Sequence, residues 1–307
     1  MPKSIVTGGA GFIGSHMAER LISEGHDVLV IDSLITGKRS RVPKDAEFLK
    51  ADVCWDHDMN KAFEEFEPDY VFHFAAQIDV RASVTDPLGD VEVNTVATVN
   101  LLEAARRVDV KRFLFASSGG AVYGSTEAAD SEKTPCRPKS PYGMSKLAAE
   151  GYVDLYRRLY ELSATTLRLA NVYGPGQDGS GEAGVIAIFN QALAKEEELV
   201  IYGNGYQSRD FVHVHDVCNA FMLAATAGRT GTFNIGTGRE TAIVELARLL
   251  CKWWDVPCEP VHHPARLGEE EHSSLNCHLA HTALKWSPAI NLEDGIDSLN
   301  AFEELAA

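Results

Sequence analysis

Short apolar runs alternate with longer amphipathic stretches through the first half of the chain, beginning with SIVT at 4–7. DVLVID (27–32), AEFLKAD (46–52), YVFHFAA (70–76), KRFLFASS (111–118) and ATTLRLA (164–170) read as further strands. Helical periodicity fills the intervals at 11–24, about 56–66, 91–107 and 141–160. The strands are short, apolar on both faces and separated by helices, the pattern of a parallel sheet covered on both sides. Past about residue 170 the alternation breaks. NVYGPGQDGSGEAG (171–184) is rich in glycine and polar residues and reads as a functional loop. Helices follow near 186–194, 214–227, 242–253 and 292–305. They suit a smaller α/β domain over 171–307, built onto the C-terminal edges of the strands of a first domain over 1–170, with some segments returning to that first domain.

The chain has 307 residues, 45% apolar and 23% charged, enough apolar material for a full core. No run approaches the ~20 apolar residues that span a bilayer, and the chain passes from Met1 into a short strand without a long apolar leader. The expectation is a cytoplasmic protein without a membrane partner. A net charge of −16 argues against a nucleic-acid surface, so an anionic ligand would need a few local arginines. Six cysteines (Cys54, Cys136, Cys218, Cys251, Cys258 and Cys277) are scattered without a CxxC, as free thiols of a reducing compartment would be. The pairs His213/His215 and His262/His263 lack a third ligand at zinc spacing, so no metal is expected.

VTGGAGFIGSH follows the first strand and opens the first helix. Gly9, Gly11 and Gly14 satisfy GxGxxG, and Gly8, Gly11 and Gly14 a wider GxxGxxG. Such glycines allow a tight turn and let a pyrophosphate approach the backbone at the N–H-rich start of a helix. Asp32 ends the second strand, where a carboxylate holds a ribose diol and repels a 2′-phosphate, favouring NAD over NADP. The alternative is a glycine-rich structural turn. The strand–turn–helix context favours the dinucleotide and a Rossmann-type, doubly wound parallel sheet.

SPYGMSK (140–146) offers Ser140 as an N-cap, Pro141 as a first helical residue, and Tyr142 and Lys146 one turn apart on one face. Taken alone the pair is a surface contact. Beside a nicotinamide it becomes a phenol whose proton is loosened by an ammonium.

With TGGAGFIG, HFAAQIDVRASVTDP, SSGGAVYG, PYGMSK, LRLANVYGP, GEAGVIAIF, YGNGYQSRDFVHVHDV and NIGTG, the chain resembles the extended short-chain dehydrogenases/reductases, and among them the nucleotide-sugar 4-epimerases. The resemblance implies that Tyr142 is the catalytic base and Lys146 a ribose-binding lysine. It implies cofactor contacts from Gly8, Gly11, Phe12, Ile13 and Gly14 in the glycine loop, and from Asp32, Leu34, Thr36 and Gly37 beyond the second strand. Further contacts would come from Asp52, Val53, Phe74, Ala75, Ala76, Gln77 and Asn94, and from Ser117, Ala170 and Val172.

The reaction implied is oxidation at sugar C4, rotation of the 4-keto sugar, and return of the hydride to its other face. Dehydratases and decarboxylases of this fold carry acidic residues in the turn after the fifth strand; SSGGAVYG has none. The position that in relatives carries the hydroxyl touching O4 is Gly119 here, so Ser118, or else Ser117, is expected to take that role; the alternative is that both serines cap the turn. For the nucleotide sugar, the resemblance implies diphosphate contacts from Arg209, Arg266 and Asn171, a ribose contact from Glu269, and a pocket lined by Val185, Ile201 and Tyr202. Arg81 stands at the rim, to meet the sugar or to pair with Asp79 or Asp86. Any of these arginines could instead form a solvated salt bridge. The expected substrate is a UDP-hexose, UDP-glucose/UDP-galactose ahead of UDP-glucuronate or a UDP-N-acetylhexosamine. A dTDP-glucose 4,6-dehydratase and a NAD-sensing non-enzyme are the rivals. The family pairs through two helices, so a homodimer is expected through a four-helix contact built from 91–107 and 141–160.

Overall fold

The structure, a computed structural model, describes residues 1–124, 129–179, 184–265 and 271–299. The six expected strands are present: β1 (Lys3–Thr7), β2 (Asp27–Asp32), β3 (Glu47–Lys50), β4 (Tyr70–His73), β5 (Arg112–Ser118) and β6 (Ala164–Leu169). Beyond them come β7 (Asn171–Tyr173), β8 (Val200–Tyr202), β9 (Ser208–His213), β10 (Gly231–Ile235), β11 (Glu240–Ala242) and β12 (Val261–His263). One parallel sheet runs in the order β10-β6-β5-β4-β1-β2-β3, so its seventh strand arrives from far downstream. The order reverses between β1 and β4, leaving a crevice at the C-terminal strand ends, where such sheets bind ligands.

Period-two alternation divides the core. Val6, Val30, Phe72 and Leu114 face one side, where they pack with α1 (Phe12–Ser23). Ile5, Ile31, Val71, Phe113 and Phe115 face the other, against α2 (Asp56–Phe66) and a long helical stretch. That stretch follows the short α3 (Val80–Thr85). It begins as α4 (Pro87–Val91), widens into a π turn at Glu92–Val96 and continues as α5 (Ala97–Arg107). The helix expected at 91–107 therefore starts four residues earlier, where Asp86 caps Gly89 N–H and Pro87 fills the first turn. β4 is shorter than YVFHFAA because Phe74–Ala76 leave the sheet to meet the glycine turn: a Cβ on Gly8 would lie 2.6 Å from Ala75 N.

α6 (Gly119–Val122) is a single turn after β5, and α7 (Pro141–Leu159) covers the second face. The remaining helices are α8 (Val185–Ala194), α9 (Val214–Thr226), α10 (Ile243–Trp253), α11 (His278–Leu284) and α12 (Leu292–Asp297). α9 and α11 return to the first face of the large sheet, whereas α8, α10 and α12 share a third apolar cluster with β8. The helix expected at 292–305 ends at Asp297 and gives way to a turn; the rest of that expectation lies outside the described residues. Among the described residues no helix is long and apolar enough to cross a membrane.

Candidate functional site

The glycine turn is closed by backbone contacts that exclude side chains. Gly8 stands at φ +71°, its N–H bonds the Ile31 carbonyl at 2.8 Å, and a Cβ on Gly14 would lie 2.2 Å from the Gly8 carbonyl oxygen. α1 opens at Gly11 with no side-chain cap and no acidic residue in its first turn, so its N–H groups and dipole remain available to an anion. Phe12 and Ile13 lie in that first turn. Asp32 binds the turn to the next loop: one carboxylate oxygen accepts from Ala10 N at 2.9 Å, the other from Leu34 N at 2.8 Å. Leu34 takes a left-handed φ of 63°, and Gly37 approaches so closely that a Cβ there would meet Asp32 at 2.6 Å. Thr36 is exposed between them.

The next strand ends complete the cradle. Asp52 accepts from Cys54 N at 3.0 Å; Val53 is buried in the second-face core; Ala75 N lies 3.4 Å from Thr7 Oγ1. Gln77 and Asn94 clasp each other, Gln77 N donating to Asn94 Oδ1 and Asn94 Nδ2 to the Gln77 carbonyl, both at 3.0 Å. Ala170 N donates to the Ile235 carbonyl at 2.8 Å, and Val172 packs half-buried on the first-face core. A glycine turn bare of side chains, an uncapped helix N-terminus and a carboxylate at the end of β2 together fit a dinucleotide.

α7 carries the next group. Ser140 caps it by accepting from Gly143 N at 3.1 Å, and Tyr142 N is held by Ser83 Oγ at 3.2 Å. The Tyr142 ring is half-buried, and the Ser118 side chain favours the ionised form of its hydroxyl. Ser117 is turned elsewhere, donating to Glu150 Oε1 at 2.5 Å. A side chain at Gly119 would meet Leu275 at 2.6 Å, so a hydroxyl at that position would press on the core.

Lys146 does not act on Tyr142 as the spacing suggests. Burial pushes the phenol up to about 12; the Ser118 side chain opposes this and the charge of Asp90 adds to it. Lys146, itself buried, donates to the Ala116 carbonyl at 3.0 Å and lies 4.8 Å from the centre of the Phe115 ring. Burial takes it down to about 8, against the pull of Glu150 and Asp90. Four residues of spacing place the two side chains on one face, but the ammonium is drawn to the strand carbonyl rather than to the phenol.

Two residues not anticipated from sequence anchor this face. Glu150, one turn beyond Lys146, receives Arg168 of β6 through Nε at 3.0 Å and Nη2 at 2.6 Å. Arg168 Nη1 also donates to Tyr123 OH at 2.8 Å, and Tyr123 OH to Asn234 Oδ1 at 2.8 Å. A charged residue inside ATTLRLA, a strand otherwise without charge, was the available signal that a buried partner exists.

On the substrate side β7 pairs with β9, setting Asn171 opposite Phe211 and two residues from Arg209 along the same ladder. Arg209 Nη1 donates to the Ser208 carbonyl at 2.8 Å. Val185 opens α8 half-buried, and Tyr202 sets its ring edge-on to His263 at 5.8 Å. Ile201 packs inside the third cluster at 1% exposure, so its side chain belongs to the core and not to an open pocket wall. Arg81 is exposed, with its N–H taken by the Asp79 carboxylate at 2.8 Å. Arg266 and Glu269 lie outside the described residues. Among the described residues no group of three or more histidine, cysteine, aspartate or glutamate side chains could hold a metal. His213 instead caps α9 by accepting from His215 N at 3.2 Å, and its Nε2 meets Ser298 Oγ at 3.1 Å.

Comparison with known proteins agrees with this geometry. The family model described as NAD dependent epimerase/dehydratase family matches residues 4–236. A UDP-glucose 4-epimerase of Mycolicibacterium smegmatis is 44% identical over 301 residues, covering 96% of each chain. The crystal structure of a UDP-glucose 4-epimerase from Thermotoga maritima with UDP-glucose superposes with a TM-score of 0.97 at 40% identity, over 99% of this chain and 100% of that one. A Thermus thermophilus UDP-glucose 4-epimerase in complex with NAD superposes with a TM-score of 0.94 at 40% identity, with the same coverage.

Proposed function

The chain belongs to the NAD dependent epimerase/dehydratase family, and we propose that it inverts C4 of a UDP-hexose, interconverting UDP-glucose and UDP-galactose, with NAD held throughout. The observation that carries the reading is Tyr142 at the capped start of α7, its phenol under the influence of the Ser118 side chain, in a chain whose glycine turn leaves the start of α1 uncapped for a dinucleotide. When bound, NAD accepts the C4 hydride and returns it, and its oxidised ring brings a positive charge.

The residues divide the remaining work. The glycine turn and the start of α1 receive the pyrophosphate, and Asp32 the ribose diol. Tyr142 takes the proton from O4 and later gives it back, through or beside the Ser118 hydroxyl. Lys146 would meet the cofactor ribose and supply positive charge there. Arg209 and Asn171 reach the diphosphate from adjoining strands, with Arg266 and Glu269 assigned to the same end by resemblance. The 4-keto sugar then turns over so that the hydride arrives on its opposite face; a phenol able to hold or release one proton serves both half-reactions.

The turn after β5 (Ser118 through α6 to Tyr123) contains no carboxylate to expel water from C5 and C6, which favours epimerisation over dehydration. A NAD sensor needs no base, so the presence of both Tyr142 and Lys146 weighs against that rival. The experiment is incubation of the purified protein with UDP-glucose and no added cofactor. UDP-galactose should appear; a 4-keto-6-deoxy product, or no product with NAD retained, would replace the proposal with one of its rivals. A panel with UDP-glucuronate and UDP-N-acetylglucosamine sets the preference.

We further propose a homodimer. α4, the π turn, α5 and α7 pack side by side, and they leave Leu88, Val96 and Leu159 at 82%, 47% and 60% exposure, apolar side chains suited to a second copy. Sedimentation should give twice the chain mass. Free cysteines and a cofactor-dependent sugar chemistry suit the cytoplasm.

A further inference from the structure

Behind the start of α7 lies a buried polar cluster that the proposed chemistry leaves unused. Asp90 on α4 is 1% exposed and accepts through Oδ1 from Gln77 Nε2 at 2.8 Å and from Asn94 Nδ2 at 3.0 Å. Its Oδ2 is equally enclosed and has no hydrogen-bond partner among the described residues. Asn94, in the π turn, also lies with Nδ2 3.2 Å from Ser145 Oγ, which donates to the Tyr142 carbonyl at 2.9 Å. Thr95 Oγ1 donates to the Ser145 carbonyl at 2.9 Å. The widened turn thus grips the one helical turn that carries both Tyr142 and Lys146.

The charges nearby are unevenly matched. Glu150 is answered by the Arg168 fork. Asp79 uses its carboxylate to cap α3. His73 on β4 is neutral, taken to about 3 by burial and then by the Lys146 charge, and it bonds Thr7 and Thr98. Arg81 is exposed at the rim. Asp90 and Lys146 remain as two buried opposite charges, neither in an ion pair among the described residues. A buried carboxylate is costly unless another charge compensates it, and in a poorly polarisable interior that compensation reaches beyond contact. The reach is present here: burial lowers Lys146, and Glu150 first and Asp90 after it raise it again, while Asp90 adds to the burial that resists ionisation of Tyr142.

We propose that Asp90 is a positioning residue for the Tyr142–Lys146 pair. Through Asn94 and Ser145 it fixes the turn that presents them, and with its unanswered charge it keeps Lys146 in the ammonium form. The inference rests on the reading of Tyr142 as the base.

Asp90→Asn tests it, because the amide keeps Oδ1 as acceptor for Gln77 and Asn94 and removes the charge, its NH2 taking the place of Oδ2. Lys146 should then lose its proton at lower pH, and Tyr142 likewise, so both limbs of the kcat–pH profile move down by about one unit. A bonding role alone would change the height of the profile and leave its limbs in place; unmoved limbs in a folded variant overturn the proposal. NMR titration of the Lys146 side chain in the intact protein gives a readout independent of turnover: a lower midpoint in Asp90→Asn supports the proposal, an unchanged one overturns it. Should that variant fail to fold, Ser145→Ala decides: it cuts the link from Asn94 to the turn that carries Tyr142, so kcat should fall several-fold with NAD retained, and an unchanged kcat overturns the proposal. Retained turnover in Tyr142→Phe would remove the base assignment, yet the Lys146 titration would still report on Asp90.

Discussion

The Ser117 hydroxyl donates to the Glu150 carboxylate at 2.5 Å, whereas its neighbour Ser118 is the serine whose side chain bears on Tyr142. Strand alternation at the end of β5 separates two adjacent hydroxyls into two environments. Ser118→Ala should lower kcat by roughly ten- to a hundredfold while leaving stability near that of the parent. Ser117→Ala should cost about 2 kcal/mol in urea unfolding, as loss of a buried bond to a charged partner does, and leave most turnover. The reverse pattern would move the O4 role to Ser117.

Tyr142→Phe should retain NAD, because the glycine turn and Asp32 are untouched, yet lose turnover by at least about a thousandfold. Bound NAD is read by absorbance after acid release, turnover by product formation. Full activity in this variant would reject the assigned base.

The Glu150–Arg168 pair is buried at 6% and 9% side-chain exposure, with N–O contact at 2.6 Å. Glu150→Ala leaves a buried guanidinium unanswered and should cost about 3–5 kcal/mol. Replacing both residues by methionine should restore much of that stability, while kcat stays depressed because Lys146 has lost the Glu150 charge that favours its ammonium form. Guanidinium unfolding of the two variants, set beside kcat, checks this; equal destabilisation in both would argue against an uncompensated charge.

Acid should weaken the fold through two buried histidines. His73 is taken to about 3, by burial and then by Lys146, and His213 to about 4, by burial and then by His215 and His16. An unfolded histidine accepts its proton near 6.5. As pH falls below that value the unfolded chain binds protons that the folded chain refuses, so stability falls. The loss continues to about 4 for His213 and about 3 for His73, at about 1 kcal/mol per pH unit for each. Unfolding midpoints between pH 7 and pH 5 measure the slope, and His213→Asn, which keeps an acceptor to cap α9, should flatten it. An equal slope in that variant would assign the acid sensitivity elsewhere.

Local chemistry alone determined a good part of this protein. The six upstream strands, the glycine turn with its following helix, Asp32, and the Ser140–Pro141 start of α7 were legible in the sequence because period, turn and cap chemistry are properties of a few neighbouring residues. Spacing also placed Tyr142 and Lys146 on one face. Contact across the fold was not legible. Which serine meets Tyr142 depends on how β5 is rotated against α7; the ammonium of Lys146 turns to Ala116 because a strand carbonyl lies beside it; Ile201 joins the core because β8 lies beneath α8 and α10. β10 completes the sheet from residues 231–235, and Arg168 finds Glu150 across the strand–helix boundary. Those outcomes are set by packing between segments far apart in the chain, where burial and field strength depend on every neighbour at once, and no local pattern encodes them.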